Sequence, residues 1–310
     1  MVVEPYLQRL TGRLIDGVDR LPADVRRRHA AWVRGRQRPD GGFPGREGGS
    51  DLYYTGFALR TLAVLQELES ETCERTATFL RPRVGATAGV VDLFSLVVSA
   101  LLVRLGGGPD VLAEAPADWP DRAAQTLEAF RHADGGYAKA PGGTSGSTYT
   151  TFLVLLALEL LGKKVPHPER VVAFVRSRYR QGGFVEIPQM KRAGTNPTAA
   201  GVGTLQMLDA LDDDTRGKVI DFLVRMVSAG EGGLRANDRI PAADLLSTFT
   251  GSWTLADLGG MGGLDPAALR TFVEALQGPD GGFRGGLWDA GMDVEYTFYG
   301  IGVLGLLAGA

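Results

Sequence analysis

The chain has 310 residues, with 33 basic and 36 acidic side chains and a formal net charge of -3 at pH 7. This charge gives no reason to expect binding to nucleic acid or to an anionic membrane surface. A single cysteine, Cys73, excludes disulfides within the chain and thiolate metal clusters. We find no signal peptide and no apolar run of the ~18 residues that a membrane span needs, so we expect a cytoplasmic protein.

A short glycine motif recurs along the chain. Each copy has a polar residue, two glycines and an aromatic residue or leucine, at 40–43, 134–137, 181–184, 231–234 and 280–283. The first glycines of the last four copies, at 135, 182, 232 and 281, are 47, 50 and 49 residues apart. The first gap, from 41 to 135, is about twice as long, which predicts a degraded copy near Val84. Six units of this length predict a repeat architecture.

Each repeat predicts two helices of different character, and one more helix at about 3–18 precedes them. The first helix of a repeat mixes charged residues with one apolar stripe, which is typical of an outer helix. The second is apolar almost all round, as a buried inner helix is. The outer and inner helices are predicted to begin near residues 22 and 51, 70 and 91, 118 and 147, 168 and 195, 214 and 244, and 265 and 293.

Polar residues mark where the inner helices begin. Asp51, Asp244, Asp293 and Ser147 each precede an apolar run, where a side-chain oxygen can accept a backbone N–H and cap the helix. A threonine follows each of these caps four residues later. The fourth repeat keeps only this threonine, at Thr198.

Six pairs of alternating helices favour closure into a double ring. An open array of such units would need polar capping repeats, yet the last inner helix runs apolar to the end of the chain. We therefore expect an all-α fold, an α6/α6 toroid. It should form a single domain over residues 1–310, with the six repeats at about 20–308.

Six helical hairpins with a Gly-Gly-aromatic turn after each outer helix resemble the prenyltransferase and squalene cyclase repeat family. The resemblance covers residues 20–308. This family includes the β subunits of protein farnesyl- and geranylgeranyltransferases and the class II terpene cyclases. The resemblance implies an α/α toroid, whereas the same barrel hosts several activities.

The resemblance to the protein prenyltransferases raises the question of a zinc site. In those enzymes an Asp-x-Cys of the fifth inner helix and a His of the sixth hold the metal. Here the fifth inner helix has Asp244 followed by Leu246 at the cysteine position, and the sixth has Tyr296 at the histidine position. One ligand of three remains, so we do not expect zinc.

The class II cyclases protonate an alkene with the middle acid of an Asp-x-Asp-Asp motif. The acidic cluster at 209–214 lies in a link between helices, where Asp214 is expected to cap the fifth outer helix. The catalytic candidates are therefore Asp244, Asp293, Glu295 and Tyr296 near the starts of inner helices. A purely structural role as N-caps stays open for the aspartates, whereas Glu295 lies inside an apolar helix, where an unpaired acid is costly.

Two sets of side chains are candidates for ligand binding. Six inner-helix N-termini at one rim favour an anion, and the resemblance implies that basic loop residues there hold a prenyl diphosphate. The basic candidates are Lys191, Arg192, Arg235 and Arg239. Aromatic residues of the inner helices predict an apolar well for an isoprenoid, and the candidates are Tyr53, Phe57, Tyr149, Phe249, Trp253 and Tyr299. Solvated loop charges and simple core filling are the alternatives.

These observations predict a zinc-independent, prenyltransferase-like or terpene cyclase-like protein that holds or acts on a prenyl group or its diphosphate. A non-catalytic binding or scaffold protein that retains the barrel stays open. So does a toroidal glycosidase, which would use paired carboxylates in the barrel mouth; the candidates are Asp51, Asp244, Asp293 and Glu295. No cofactor is expected, although Mg²⁺ could accompany a diphosphate. The resemblance also allows for a helical partner like the α subunit of the protein prenyltransferases.

Overall fold

The computed structural model describes residues 4–86 and 89–309, and its helices alternate as predicted. The first helix is α1 (Tyr6–Val18). The outer helices are α2 (Ala23–Arg34), α4 (Ser70–Leu80), α6 (Trp119–Glu128), α8 (Pro168–Ser177), α10 (Asp213–Arg225) and α12 (Pro266–Ala275). The inner helices are α3 (Leu52–Val64), α5 (Val90–Leu105), α7 (Thr148–Leu160), α9 (Thr195–Met207), α11 (Leu245–Leu258) and α13 (Val294–Gly309). Each begins within a few residues of its predicted start.

The glycine turns carry three short antiparallel hairpins. They pair β1 (Phe43–Pro44) with β2 (Ser50–Asp51), β3 (Tyr179–Arg180) with β4 (Gly183–Phe184), and β5 (Phe283–Arg284) with β6 (Met292–Asp293). In the second repeat, where a degraded motif is predicted near Val84, Arg81–Arg83 form a 3₁₀ turn. Residues 87 and 88 of that repeat lie outside the described residues.

The chain forms two compact units. Unit 1 comprises residues 1–9 and 121–273, and unit 2 comprises residues 10–120 and 274–310. In unit 1, α9 packs between α7 and α11, with α8 and α10 against this row. In unit 2, α3 packs between α5 and α13, so the last inner helix lies beside the first. The single domain predicted from the repeats stays a prediction.

Each complete glycine turn is tied to the inner helix of its own repeat by the recurrent threonine. The residue after the glycine pair donates its backbone N–H to the threonine Oγ1, at 3.0 Å from Phe43 to Thr55 and 2.9 Å from Tyr137 to Thr151. The same bond joins Phe184 to Thr198, Leu234 to Thr248 and Phe283 to Thr297. A buried backbone donor needs such an acceptor, which explains why the threonine persists where the cap does not.

Both glycines of a turn are required because the turn packs on the outer helix of the next repeat. Gly41 has a φ of +88°, and a Cβ there would lie 1.9 Å from the carbonyl oxygen of Arg75 in α4. A Cβ on Gly42 would lie 2.7 Å from the ring of Phe79. The corresponding rings at the other turns are Phe174, Phe222, Phe272 and Trp32. Trp32 belongs to α2, so the sixth turn packs on the first outer helix.

The cap of α10 differs from the prediction. The Thr215 N–H donates to Asp212 Oδ1 at 2.8 Å, so Asp212 is the N-cap and not Asp214. Asp214 lies in the first turn and pairs with Lys218, four residues later. The helix begins earlier than predicted because the first of three consecutive aspartates already provides the capping oxygen.

Candidate functional site

The predicted polar residues at the inner-helix starts act as caps. Asp51, Asp244 and Asp293 each accept the backbone N–H three residues later, at 2.7, 2.7 and 2.9 Å. Burial raises the pKa of Asp51 and of Asp244, and the backbone hydrogen bonds oppose this shift. Ser147 also accepts such a bond, and its hydroxyl donates to the Glu186 carboxylate. Glu186 therefore provides the charge that the third repeat lacks at its cap, a partner that sequence reasoning missed.

Asp293 differs from the other caps because it is paired with a cation. Arg46 Nε donates to Asp293 Oδ2 at 2.8 Å, while its two terminal nitrogens donate to Asp289 at 2.9 and 2.6 Å. The Asp293 side chain is only 3% exposed. The same guanidinium lies 5.2 Å from the centre of the Tyr296 ring. Both oxygens of Asp293 thus have donors, and Arg46 joins the β1–β2 loop to the β5–β6 loop.

Glu295 forms a carboxyl–tyrosine cluster in unit 2. Its Oε1 accepts hydrogen bonds from the Tyr53 hydroxyl at 2.7 Å and from the Tyr299 hydroxyl at 3.0 Å. Tyr53 and Glu295 each lie two residues after a cap, on the neighbouring helices α3 and α13. Burial is the largest influence on the pKa of Glu295 and raises it, although the hydrogen bonds from the two hydroxyls act in the opposite direction. A half-buried carboxyl with a raised pKa is a candidate for proton transfer or for contact with a polar ligand group.

An aromatic cluster surrounds this carboxyl. The ring of Phe57 makes edge-to-face contacts with Tyr53, Tyr299 and Phe298, with ring centres 4.9, 5.4 and 5.7 Å apart. Phe57, Phe298 and Tyr299 are buried, whereas Tyr53 and Glu295 keep partial exposure. Three predicted aromatic candidates, Tyr53, Phe57 and Tyr299, are thus brought together. The cluster has a packed apolar base and a half-exposed polar face.

Sequence reasoning missed a charged residue in the same cluster, Arg60 of α3. Its guanidinium carbon lies 4.0 Å from the centre of the Phe57 ring and 5.2 Å from that of Phe298. The signal that singled out Glu295, a charge inside an apolar inner helix, also marks Arg60.

The aromatic candidates of unit 1 have different surroundings. Tyr149, in the first turn of α7, is 42% exposed, whereas Phe249 and Trp253 are buried in α11. Trp253 Nε1 donates to the Tyr6 hydroxyl at 2.8 Å, and the two rings meet edge to face. The first turn of α1 therefore packs on α11, an association that the sequence pattern did not indicate. Tyr149 keeps the most accessible ring of the three.

Three of the four predicted basic residues converge in unit 1. They line a pocket of about 530 Å³ formed by Gln181, Gln189, Met190, Lys191, Arg192, Asn237 and Arg239. Arg192 also pairs with Asp238 at 2.6 Å. Arg235 is tied elsewhere, because its guanidinium donates to the carbonyl oxygens of Arg225 and Met226 at the end of α10. Of the four predicted basic residues, Lys191, Arg192 and Arg239 thus line this pocket, and Arg235 does not.

The residues at the positions implied for zinc do not fit that metal. The carboxylate of Asp244 accepts the N–H and the hydroxyl of Ser247 at 2.7 and 2.8 Å, and Leu246 offers no ligand atom. Tyr296 lies beside the Arg46 guanidinium, a cation. Within residues 4–86 and 89–309, no group of three or more His, Cys, Asp or Glu side chains is placed to hold a metal ion.

The helical pairs and their glycine turns identify the class of protein. The family model of the prenyltransferase α-α toroid domain matches residues 10–185 and 198–310. The chain therefore belongs to this family, which confirms the resemblance and the predicted α/α toroid class.

Solved structures share this fold at low sequence identity. Protein geranylgeranyltransferase-I of Candida albicans, in complex with GGPP, is 11% identical, with 91% of each chain covered and a TM-score of 0.71. A variant of the type II terpene cyclase MstE from Scytonema, in complex with its substrate geranylgeranyl dihydroxybenzoate, is 13% identical over 97% of this chain and 98% of that one, with a TM-score of 0.61. A protein from Actinoplanes is 16% identical over 93% and 99%, with a TM-score of 0.60. Identities this low show the fold alone.

Two absences accompany the family match. No curated protein matches the sequence. Among the residues that the structure describes, no helix combines the length and apolar character needed to cross a bilayer.

Proposed function

We propose that this protein holds an isoprenoid or a similar long apolar chain at the aromatic cluster of unit 2. The observation that carries this proposal is the half-exposed face of Tyr53 and Glu295 over the buried rings of Phe57 and Tyr299. Such a face offers apolar area with a few fixed polar groups, as small-molecule sites do. Two proteins of the same fold, solved with GGPP and with geranylgeranyl dihydroxybenzoate, support this choice of ligand.

The polar residues suggest how the protein would act on the chain if it is an enzyme. Glu295 is our candidate for proton transfer, because its carboxyl is half-buried and hydrogen-bonded to two tyrosines. In this proposal Asp293 and Tyr296 position the start of α13 through Arg46, and Asp244 caps α11. Considered by itself, the unit 1 pocket lined by Lys191, Arg192 and Arg239 is our candidate site for a diphosphate group, with Mg²⁺ as part of the bound ligand.

The other functions considered from the sequence gain less support. A non-catalytic binding protein would use the same aromatic cluster without proton transfer, so it is the second candidate. A toroidal glycosidase gains none, since Asp51 is an exposed cap and Asp293 is paired with Arg46. A cytoplasmic location and a helical partner subunit stay predictions.

Thermal unfolding with isoprenoids tests the apolar site. Farnesol, farnesyl diphosphate and geranylgeranyl diphosphate should each raise the unfolding temperature of the wild-type protein, with and without Mg²⁺ or Zn²⁺. Tyr53→Leu should weaken binding about tenfold, because it removes an aromatic ring and the hydroxyl bonded to Glu295. The matched control is Tyr149→Leu, at the same position after a cap in unit 1, which should change binding less than about threefold. No shift with any isoprenoid, or a loss confined to Tyr149→Leu, would refute the proposal.

A second pair of variants tests the diphosphate pocket. Arg239→Ala should weaken farnesyl diphosphate about tenfold and leave farnesol unchanged, because it removes one charge-assisted hydrogen bond to phosphate. Arg235→Ala is the control, since its guanidinium is bound to the carbonyl oxygens at the end of α10. Equal effects of both variants on diphosphate affinity would argue against a specific phosphate site in the pocket.

A further inference from the structure

Arg60 places a permanent positive charge within the aromatic cluster of unit 2. It lies on the apolar helix α3, is half-buried, and its Nε donates to the Gly56 carbonyl oxygen at 3.1 Å. Its guanidinium carbon lies over three rings, at 4.0 Å from the centre of Phe57, 5.2 Å from Phe298 and 5.9 Å from Phe94. These rings come from three different inner helices, so the charge is held at their meeting point.

Because the face of the guanidinium packs on aromatic rings, its edge is the part that would contact a ligand. Aromatic faces stabilise a cation placed over them, and here Arg60 itself takes that position. The N–H groups of a guanidinium point outward in its own plane, and this planar fork matches a carboxylate. A ligand at this cluster therefore meets a positively charged edge that the surrounding rings hold in place.

The neighbouring carboxyl of Glu295 limits the class of anion that can bind beside Arg60. The carboxyl lies close enough to Arg60 for the two charges to interact, although burial has the largest effect on its pKa. A dianionic phosphate would be repelled by Glu295 with only one arginine to offset it. A carboxylate carries a single charge, which one guanidinium can balance. The hydroxyls of Tyr53 and Tyr299 already donate to Glu295, so Arg60 is the group of this cluster that would bind the carboxylate.

We propose that Arg60 is a specificity-determining residue that selects an apolar-chain ligand bearing a carboxylate, which it binds through its in-plane N–H groups. The inference rests on the proposed function, because it assumes that the aromatic cluster holds the apolar chain. It adds the chemical class of the polar end of the ligand. Arg60 thus distinguishes a prenyl acid or a prenylated aromatic acid from a neutral prenyl alcohol.

Two probes with the same fifteen-carbon chain test this selection. Farnesoic acid should bind the wild-type protein at least about tenfold more tightly than farnesol at pH 7.5, as measured by calorimetric titration. Arg60→Met keeps the length of the side chain and removes its charge. It should abolish the preference for the acid and change farnesol affinity less than about threefold. Arg104→Met, an exposed arginine on α5 of the same unit, is the control and should keep the full preference.

The outcomes separate this inference from the proposed function. If the wild-type protein binds both probes equally, or if Arg60→Met retains the preference, the role of Arg60 is refuted while isoprenoid binding stands. If neither probe binds, the proposed function fails and this inference with it. Should Arg60→Met not fold, Glu295→Gln provides an independent measurement. It removes the neighbouring negative charge and should raise the ratio of farnesoic acid affinity to farnesol affinity about threefold; an unchanged or lower ratio would refute the inference.

Discussion

The third turn, in unit 1, and the sixth turn, in unit 2, have the same glycine pair but different acceptors for one backbone donor. In unit 1, the N–H of Gly136 donates to Asp134 Oδ1 within the same turn, at 3.1 Å. In unit 2, the N–H of Gly42 donates to Asp40 Oδ1 in the same way, whereas the N–H of Gly282 donates to His29 Nδ1 of an outer helix, also at 3.1 Å. The turn thus requires an acceptor for the N–H of its second glycine, but the residue that provides this acceptor can differ.

Fixed and variable positions also occur together at the starts of the inner helices. Two residues after the N-cap, unit 2 has Tyr53, Val91 and Glu295, whereas unit 1 has Tyr149, Asn196 and Leu246. The backbone packing of the turn fixes the glycines and the threonine, but it leaves these positions free to vary. The difference between the units therefore indicates where a ligand site can develop without damage to the fold.

Substitution of the first glycine of the turn should have the largest effect on stability, and this effect should be large in both units. Gly41→Ala in unit 2 and Gly135→Ala in unit 1 combine a positive φ with a Cβ at 1.9 and 2.5 Å from a carbonyl oxygen. Each should lower the free energy of unfolding by about 3 kcal/mol or more, since neither the conformation nor the space suits a side chain. Urea unfolding at pH 7 provides the measurement.

Two other glycines separate backbone strain from collision. Gly48 and Gly142 also have a positive φ, of +84° and +71°, but a Cβ on either would have no neighbour within 4 Å. Their alanine variants should cost only about 1 kcal/mol. If Gly41→Ala and Gly48→Ala proved equally destabilising, close packing of the turn would not be the reason for its first glycine.

The sequence predicted the fold well because its signals are local. The glycine pair, the cap and the threonine lie within one repeat, so their spacing alone located the helix starts. Glu295 was found in the same way, as an acid in an apolar run. The same signal at Arg60 was missed because only acids and aromatic residues of the inner helices were considered.

The sequence could not show pairings between side chains of different repeats. Arg46 and Asp293 are 247 residues apart in the chain, and Ser147 meets Glu186 across 39 residues. No periodicity relates such partners, since each pair depends on how two loops fold against each other. For the same reason Arg235 and Arg239, four residues apart, seemed equivalent in the sequence but have different surroundings.

The two acceptors of the turn predict a difference in pH dependence. Burial, followed by the charge of Arg28, lowers the pKa of His29 from its ordinary value of 6.5 to about 4. Between pH 4 and 6.5 the His29 side chain of the unfolded chain binds a proton that the folded chain does not. The contribution of His29 to the free energy of unfolding is therefore fully present above pH 6.5 and decreases as the pH falls to 4. The total loss should be about 3 kcal/mol.

Asp134 should behave differently over the same range. Although burial opposes the change, hydrogen bonds from Gly146 and His132 lower the pKa of Asp134, so its contribution persists down to its ordinary value of 3.8. His29→Gln should therefore flatten the decline in urea stability between pH 6.5 and 4. His167→Asn, at an exposed histidine of unit 1, is the control. A decline that His29→Gln leaves intact would assign the pH dependence to other groups.

The smallest expected effect concerns the two caps that share one motif, Asp293 in unit 2 and Asp244 in unit 1. Asp244→Asn should cost less than about 0.5 kcal/mol, because asparagine caps a helix as well as aspartate does. Asp293→Asn should cost about 1–2 kcal/mol, because it also removes the charge that Arg46 pairs with, in a setting between an exposed and a buried ion pair. Urea unfolding of both variants in the Arg46→Met background separates the two contributions. There the difference between them should vanish, and a difference that persisted would mean that Asp293 stabilises α13 by something other than its ion pair.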